Sequence, residues 1–195
     1  MTYQELLDAV RADPVDADYH ALRMAYARSD QYQPHPHDRD TVTLMNEALR
    51  VGDLDGAMVA TQKLLDRDYL DIMAHMVADY IYTSRDDTER ALYHRAIARG
   101  LIDAVLATGN GNDFHTAFIV INTLEEYVIL RVLGFVLLQQ EFVEHEGHYF
   151  DVLVAQHQQT GDMMRFVFNI DLPFGWFLQH QSEDEEAHDE EGDMG

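Results

Sequence analysis

The stretch LRVGDLDGAMVATQKLLDRDYLDIMAHMVADYIYTSRDDTERALYHRAI, residues 49–97, decides the fold of the first half of the chain. Its apolar residues recur at intervals of three and four, which is typical of amphipathic helices. Within VGDLDGA, residues 51–57, a glycine can end one helix and an aspartate can cap the next. The stretch therefore predicts antiparallel helical hairpins, beginning with a pair of helices at 44–51 and 54–65.

Two histidines lie on the next two predicted helices. The apolar stripe of residues 69–81 leaves His75 to one side, whereas His94 falls on the apolar stripe of a helix that Asp87 caps and that extends over 88–109. Two such helices, packed side by side, can bring the imidazoles together. The histidines are then either hydrogen-bonded core residues or part of a ligand or catalytic site.

The central block changes from helical to mixed structure. TAFIVI at 116–121 is apolar and β-branched, as in a buried strand. TLEE at 123–126 fits a capping box, in which the Thr123 hydroxyl accepts from an amide of the first turn and Glu126 reaches back to the cap. This pattern predicts a short helix after the strand.

The same helix start allows a second interpretation. Adjacent carboxylates can serve as a general acid and a general base when their surroundings separate their pKa values. Glu125, Glu126 and Tyr127 would then form a candidate catalytic site with His75 and His94.

Two segments resemble known families. The stretch 49–97 resembles tetratricopeptide-type hairpins, which repeat at ~34 residues. LIDAVLATGNGNDFHTAFIVINTLEEYVILRVLG, residues 101–134, is similar to an uncharacterised bacterial family, domain of unknown function 4919, whose glycine-rich turn, Thr-Ala-Phe strand and Glu-Glu-Tyr helix follow a helical half with histidines. The resemblance covers about residues 19–171, and it implies a fold more than a function.

The last third alternates between apolar and polar residues. Three strands joined by short polar turns predict an antiparallel meander, in the segments FVLLQQEFVE, HYFDVLVAQ and MMRFVFNID. The expected fold class is therefore α+β, with tetratricopeptide-like hairpins at 1–108 packed on a small sheet at 115–178. Both halves belong to one predicted domain, 1–181.

Histidines also flank the first turn of the meander. In EHEGH, residues 144–148, Gly147 supplies the freedom that a tight turn needs, which favours an ordinary hairpin. His145 and His148 are nevertheless weak candidates for metal ligands. HPH at 35–37 is the kind of loop that binds metals adventitiously.

Charge limits the partners of this protein. The 195 residues carry 36 acids and 13 bases, a net charge of −23, which disfavours nucleic acid and anionic membranes and favours a basic protein partner. Residues 182–195 hold eight of the acids and no base, so they predict a disordered tail. The chain has no cysteine, no basic leader and no membrane-length apolar stretch, so we expect a soluble, cytoplasmic protein without a cofactor.

Two functions remain open from the sequence. The favoured one is a non-enzymatic protein-interaction or adaptor module with an acidic surface. The alternative is a small metal-dependent or hydrolytic enzyme that uses His75, His94 and the Glu-Glu-Tyr helix start.

Overall fold

The computed structural model describes residues 1–34 and 39–192, with side chains as far as Gln181. The chain divides into two compact units, Met1–Ala107 and Thr108–Gly195. Helices form the first unit, and the second contains a four-stranded sheet. The predicted α+β class is confirmed, whereas one domain over 1–181 stays a prediction. The HPH motif at 35–37 lies outside the described residues.

The first unit, here called the helical unit, owes its helix boundaries to aspartates. Its helices are α1 (Tyr3–Ala12), α2 (Tyr19–Tyr26), α3 (Arg39–Val51), α4 (Leu54–Arg67), α5 (Ile72–Ser84) and α6 (Thr88–Leu106). Asp53 and Asp87 cap α4 and α6, each accepting a hydrogen bond from an amide of the first turn. Gly52 has a φ of +77°, so the corner predicted at 51–57 is confirmed.

Consecutive helices of this unit pack in sequence order, α3 on α4, α4 on α5 and α5 on α6. Ala57 and Ala74 are fully buried, and their small side chains allow close helix contacts. Because α5 has neighbours on both sides, His75 is fully buried too. The expectation that His75 lies beside the apolar stripe is therefore wrong.

The second unit, here called the sheet unit, contains β1 (Phe118–Ile119), α7 (Leu124–Val132), β2 (Phe135–His145), β3 (His148–His157), β4 (Met163–Asn169) and α8 (Asp171–Gly192). The strand order is β1-β4-β3-β2, and both β2/β3 and β3/β4 are antiparallel. The predicted meander is confirmed. In addition, β1 pairs in parallel with β4, which makes the sheet mixed.

The strand predicted at 116–121 is shorter than expected. Only Phe118 and Ile119 pair with β4, and a 3₁₀ turn at Phe114–Thr116 precedes them. The turn forms because the Asp113 carboxylate accepts hydrogen bonds from the amides of His115 and Thr116.

Strand β2 carries one extra residue relative to β3. Leu137 is opposite Ala155 and Gln139 is opposite Val154, so Leu138 has no partner in the register. This bulge shifts the alternation of side chains along the strand. Between the bulge and the turn the register is continuous, and Gln140 and Phe142 lie on the same face as Asp151 because Phe142 is directly opposite Asp151.

The capping box predicted at 123–126 is wrong by one residue. Thr123 makes no side-chain cap. Asn122 instead accepts hydrogen bonds from the amides of Leu124 and Glu125, and Glu125 accepts one from the amide of Ile121 at 2.8 Å. Because the side chains of Asn122 and Glu125 accept the hydrogen bonds from the amides at this helix start, Glu126 has no capping role.

Helix α8 continues to Gly192, so its backbone is helical through most of the segment in which a disordered tail was predicted from Ser182. Its side chains beyond Gln181 lie outside the described residues, and disorder of the tail stays a prediction. Among the described residues, no helix combines the length and the apolar character that a membrane crossing needs.

Candidate functional site

The candidate residues fall into two clusters, each within one unit. The histidine pair, His75 and His94, belongs to the helical unit, and the carboxyl pair, Glu126 and Asp151, belongs to the sheet unit. The approach of Glu126 or Tyr127 to the histidines stays a prediction.

The histidine pair is a directed hydrogen-bond chain. Nε2 of His75 lies 2.9 Å from the carbonyl oxygen of Tyr69, and Nδ1 of His75 lies 2.9 Å from Nδ1 of His94. A carbonyl oxygen only accepts, so Nε2 of neutral His75 carries the proton and its Nδ1 accepts. Nδ1 of His94 must then donate, which leaves Nε2 of His94 with a lone pair and no hydrogen-bond partner among the described residues.

Burial keeps both rings neutral near pH 7. The pKa of His75 is lowered to about 4, mainly by desolvation; the hydrogen bond to Tyr69 opposes this, and the nearby His94 adds to it. Burial also lowers the pKa of His94, against a smaller opposing effect of Asp79. A neutral pair preserves the single donor and single acceptor that the contact requires.

A cavity of about 640 Å³ reaches His94 in the helical unit. The Tyr69 and Tyr93 hydroxyls, both at this cavity, are 2.6 Å apart. The guanidinium of Arg11 lies over the Tyr69 ring, with Cζ 4.6 Å from the ring centroid. His94 is thus the member of the pair that a small molecule in this cavity can contact.

The carboxyl pair has a different character. Glu126 is fully buried, and neither of its carboxylate oxygens has a hydrogen bond of normal geometry in the described part of the chain. Asp151, on β3, is also buried, and its Oδ2 accepts a hydrogen bond of 2.9 Å from Nε2 of Gln140. The hydroxyl of Tyr127 donates to Oε1 of Gln140 at 2.8 Å, which completes a chain from the surface to Asp151.

The pKa values of both carboxyl groups are raised. For Glu126, burial is the largest cause, the charge of Asp151 adds to it, and the pKa lies well above the usual range. Burial also raises the pKa of Asp151, although hydrogen bonding to Gln140 and Glu126 opposes this. Of the two groups, Glu126 has the more strongly raised pKa, so burial favours its protonated form.

The remaining predicted residues have structural contacts. Glu125 belongs to the start of α7, as described above. The ring of His145 stacks on Phe114 with centroids 4.4 Å apart, and Nδ1 of His148 lies 2.7 Å from an oxygen of Asp171. Across the described residues, no three His, Cys, Asp or Glu side chains are grouped so that they could hold a metal ion.

Sequence reasoning missed the partners of both clusters. Asp151 is an acid within the apolar run HYFDVLVAQ, and that isolated charge was the available signal. Gln140 lies on the face of Asp151 because the β2/β3 register, counted from the tight turn between His145 and His148, places Phe142 opposite Asp151. The register of the predicted hairpin was therefore the signal that could have found Gln140. Arg11 approaches Tyr69 from a helix more than 50 residues away in the sequence, so spacing could not identify it.

Comparison with known proteins gives one family. A family model described as Domain of unknown function (DUF4919) matches residues 1–173. No curated protein and no solved structure matches significantly.

Proposed function

This chain belongs to the DUF4919 family of unknown function, and its helices α3, α4, α5 and α6 stack in sequence order, so we propose that its helical unit is a protein-interaction module. Stacked hairpins in which each helix contacts its neighbours in sequence are the architecture of tetratricopeptide-like arrays. Such arrays commonly present extended surfaces to other proteins.

The observation that carries this proposal is the outer face of α3. Asp40, Leu44, Glu47 and Val51 follow one another at helical spacing, and all four are exposed. Leu44 is 56% exposed and Val51 is 67% exposed. We call these four residues the α3 stripe. Its alternating acids and apolar side chains are complementary to a partner segment that is both basic and apolar.

Charge reversal tests the α3 stripe. The double variant Asp40→Lys, Glu47→Lys should lose a protein partner that the parent retains from lysate of the source organism, with capture measured by quantitative mass spectrometry. The matched control is Asp16→Lys, Asp30→Lys, which changes the net charge equally at two other exposed positions of the helical unit. Equal capture by all three proteins would refute the proposal.

The second candidate is the hydrolytic or metal-dependent enzyme, and one observation favours it. Burial and the charge of Asp151 raise the pKa of Glu126 well above its usual range, which favours the protonated form that a general acid needs. Its complete burial means that a substrate would reach it only after local opening. Turnover of chromogenic phosphate, ester or glycoside substrates that disappears in Glu126→Gln would support this function, and unchanged turnover would remove Glu126 from it.

A further inference from the structure

The cavity beside His94 has the size and polarity of a small-molecule site, independently of the α3 stripe. Its volume of about 640 Å³ lies within the usual range for ligand pockets. Residues of α1, α4 and α6 contribute to its walls, so the packing of three helices shapes it. Three glutamines add amide donors and acceptors, at Gln4, Gln31 and Gln62.

The charge of this cavity is opposite to that of the chain. Arg11 and Arg67 line it, and Asp66 is the one acid among its lining residues. Arg67 is exposed and forms no ion pair within the described part of the chain, and the carboxylate nearest to Arg11 is that of Asp8, at 3.9 Å. In a protein with a net charge of −23, Arg67 without an ion pair among the described residues and Arg11 with only the long contact to Asp8 mark a local site for an anion.

A hydrogen-bond acceptor is held at the same cavity. Nδ1 of His94 is occupied by His75, so the lone pair on Nε2 is the part of the ring left to meet a ligand. Contacts connect this acceptor to the cationic side, because Arg11 lies over Tyr69, Tyr69 bonds to Tyr93, and the Tyr93 and His94 rings are 5.4 Å apart.

We propose that this cavity binds a small organic anion, a carboxylate or phosphate that also carries a hydrogen-bond donor. Arg11 and Arg67 bind the anionic group, and Nε2 of His94 accepts from a hydroxyl or ammonium group of the same molecule. The buried His75 is a positioning residue, since it fixes the tautomer of His94.

Three probes separate the parts of this proposal. Acetate offers a carboxylate group alone, glycolate adds one hydroxyl group to the carboxylate, and inorganic phosphate offers a phosphate group in its place. Each is titrated at constant ionic strength into the full chain, while the ring nitrogen signals of ¹⁵N-labelled histidine are followed by NMR. We expect saturable shifts of His94 with glycolate or phosphate, and weaker binding of acetate. Whichever of glycolate and phosphate binds more tightly identifies the anionic group that the site prefers.

Variants of two exposed arginines test the cationic side. Arg67→Gln should weaken the binding of the preferred probe by roughly tenfold, the value of a charged hydrogen bond. Arg50→Gln is the matched control, because Arg50 occupies the last turn of α3 as Arg67 does that of α4, but lies outside this cavity. It should bind as the parent does.

The proposal is overturned if no probe gives a saturable shift of His94. It is also overturned if Arg50→Gln weakens binding as much as Arg67→Gln, because general charge would then explain the effect. Equal affinity for acetate and glycolate would refute the role given to His94. Each result can be obtained without a partner protein, so failure here is distinct from failure of the α3 stripe.

Discussion

Nδ1 of His75 and Nδ1 of His94 lie 2.9 Å apart, so one imidazole must donate the proton that the other accepts. The Tyr69 carbonyl decides the direction, because it accepts from the far nitrogen of His75. A second proton on the pair would leave two N–H groups facing each other. The contact is therefore sensitive to acid.

The first prediction is a loss of stability between about pH 6.5 and pH 4. The pKa of His75 is 6.5 in the unfolded chain and about 4 in the folded protein, so the unfolded chain takes up a proton first as the pH falls. The stability that neutral His75 contributes is therefore complete above pH 6.5 and declines as the pH falls towards 4. The loss attributable to His75 should approach about 3 kcal/mol. NMR titration of the folded protein checks the pKa directly. Titration of His75 near its ordinary value of 6.5 would contradict the prediction.

The second prediction concerns Glu126 at alkaline pH. Its pKa is raised in the folded state, so the stability that it contributes is complete below the usual value of 4.5 and declines as the pH rises through the raised value. Glu126→Gln should remove a decline on the order of 1–3 kcal/mol in the free energy of unfolding as the pH rises above 4.5. Denaturant unfolding across that range provides the measurement. Exposed Glu144→Gln should behave like the parent.

The third prediction distinguishes two neighbouring side chains at the start of α7. Asn122→Ala should cost about 1–2 kcal/mol, because two amide donors lose their acceptor. Thr123→Ala should change the free energy of unfolding by less than about 0.5 kcal/mol, since its hydroxyl caps nothing. Thermal or urea unfolding of both variants is sufficient. If Thr123→Ala cost more stability than Asn122→Ala, the result would contradict this prediction and support the capping box at 123–126.

The fourth prediction compares two glycines with positive φ. A Cβ on Gly52 would meet no atom within 4 Å, so Gly52→Ala should cost about 1–2 kcal/mol through the backbone alone. A Cβ on Gly111 would lie 2.4 Å from the Phe118 ring, and Gly111→Ala should cost about 1–3 kcal/mol more. Unfolding in urea tests both. Equal costs would mean that Phe118 moves aside freely.

The parts of the fold that the sequence predicts are those with local causes. Asp53 and Asp87 cap helices through amides three residues away, so a short window of sequence contains the whole interaction. The meander is equally local, because tight turns join its strands. By contrast, the parallel pairing of Phe118 with Phe168 joins residues 50 positions apart, and no periodicity indicates it.

The candidate site was harder to predict for the same reason. The proximity of His75 and His94 follows from one helical hairpin, and the sequence raised it as a possibility. The raised pKa of Glu126 depends in part on the charge of Asp151, which the folding of the sheet unit brings near Glu126. Asn122 also competes with Thr123 for the same cap, and the choice between two adjacent good capping residues depends on the chain that enters the helix.

Leu138 has no partner in β3, so the alternation of side chains along β2 changes at this residue. If Leu138 entered the regular pairing with β3, Phe135, Val136 and Leu137 would move to the opposite face, because strand side chains alternate with a period of two. Phe135 would then leave its ring contacts with His157 and Phe166. One extra residue thus sets the parity of the strand before the bulge, and through it the packing of a ring against another that lies 31 positions further along the chain.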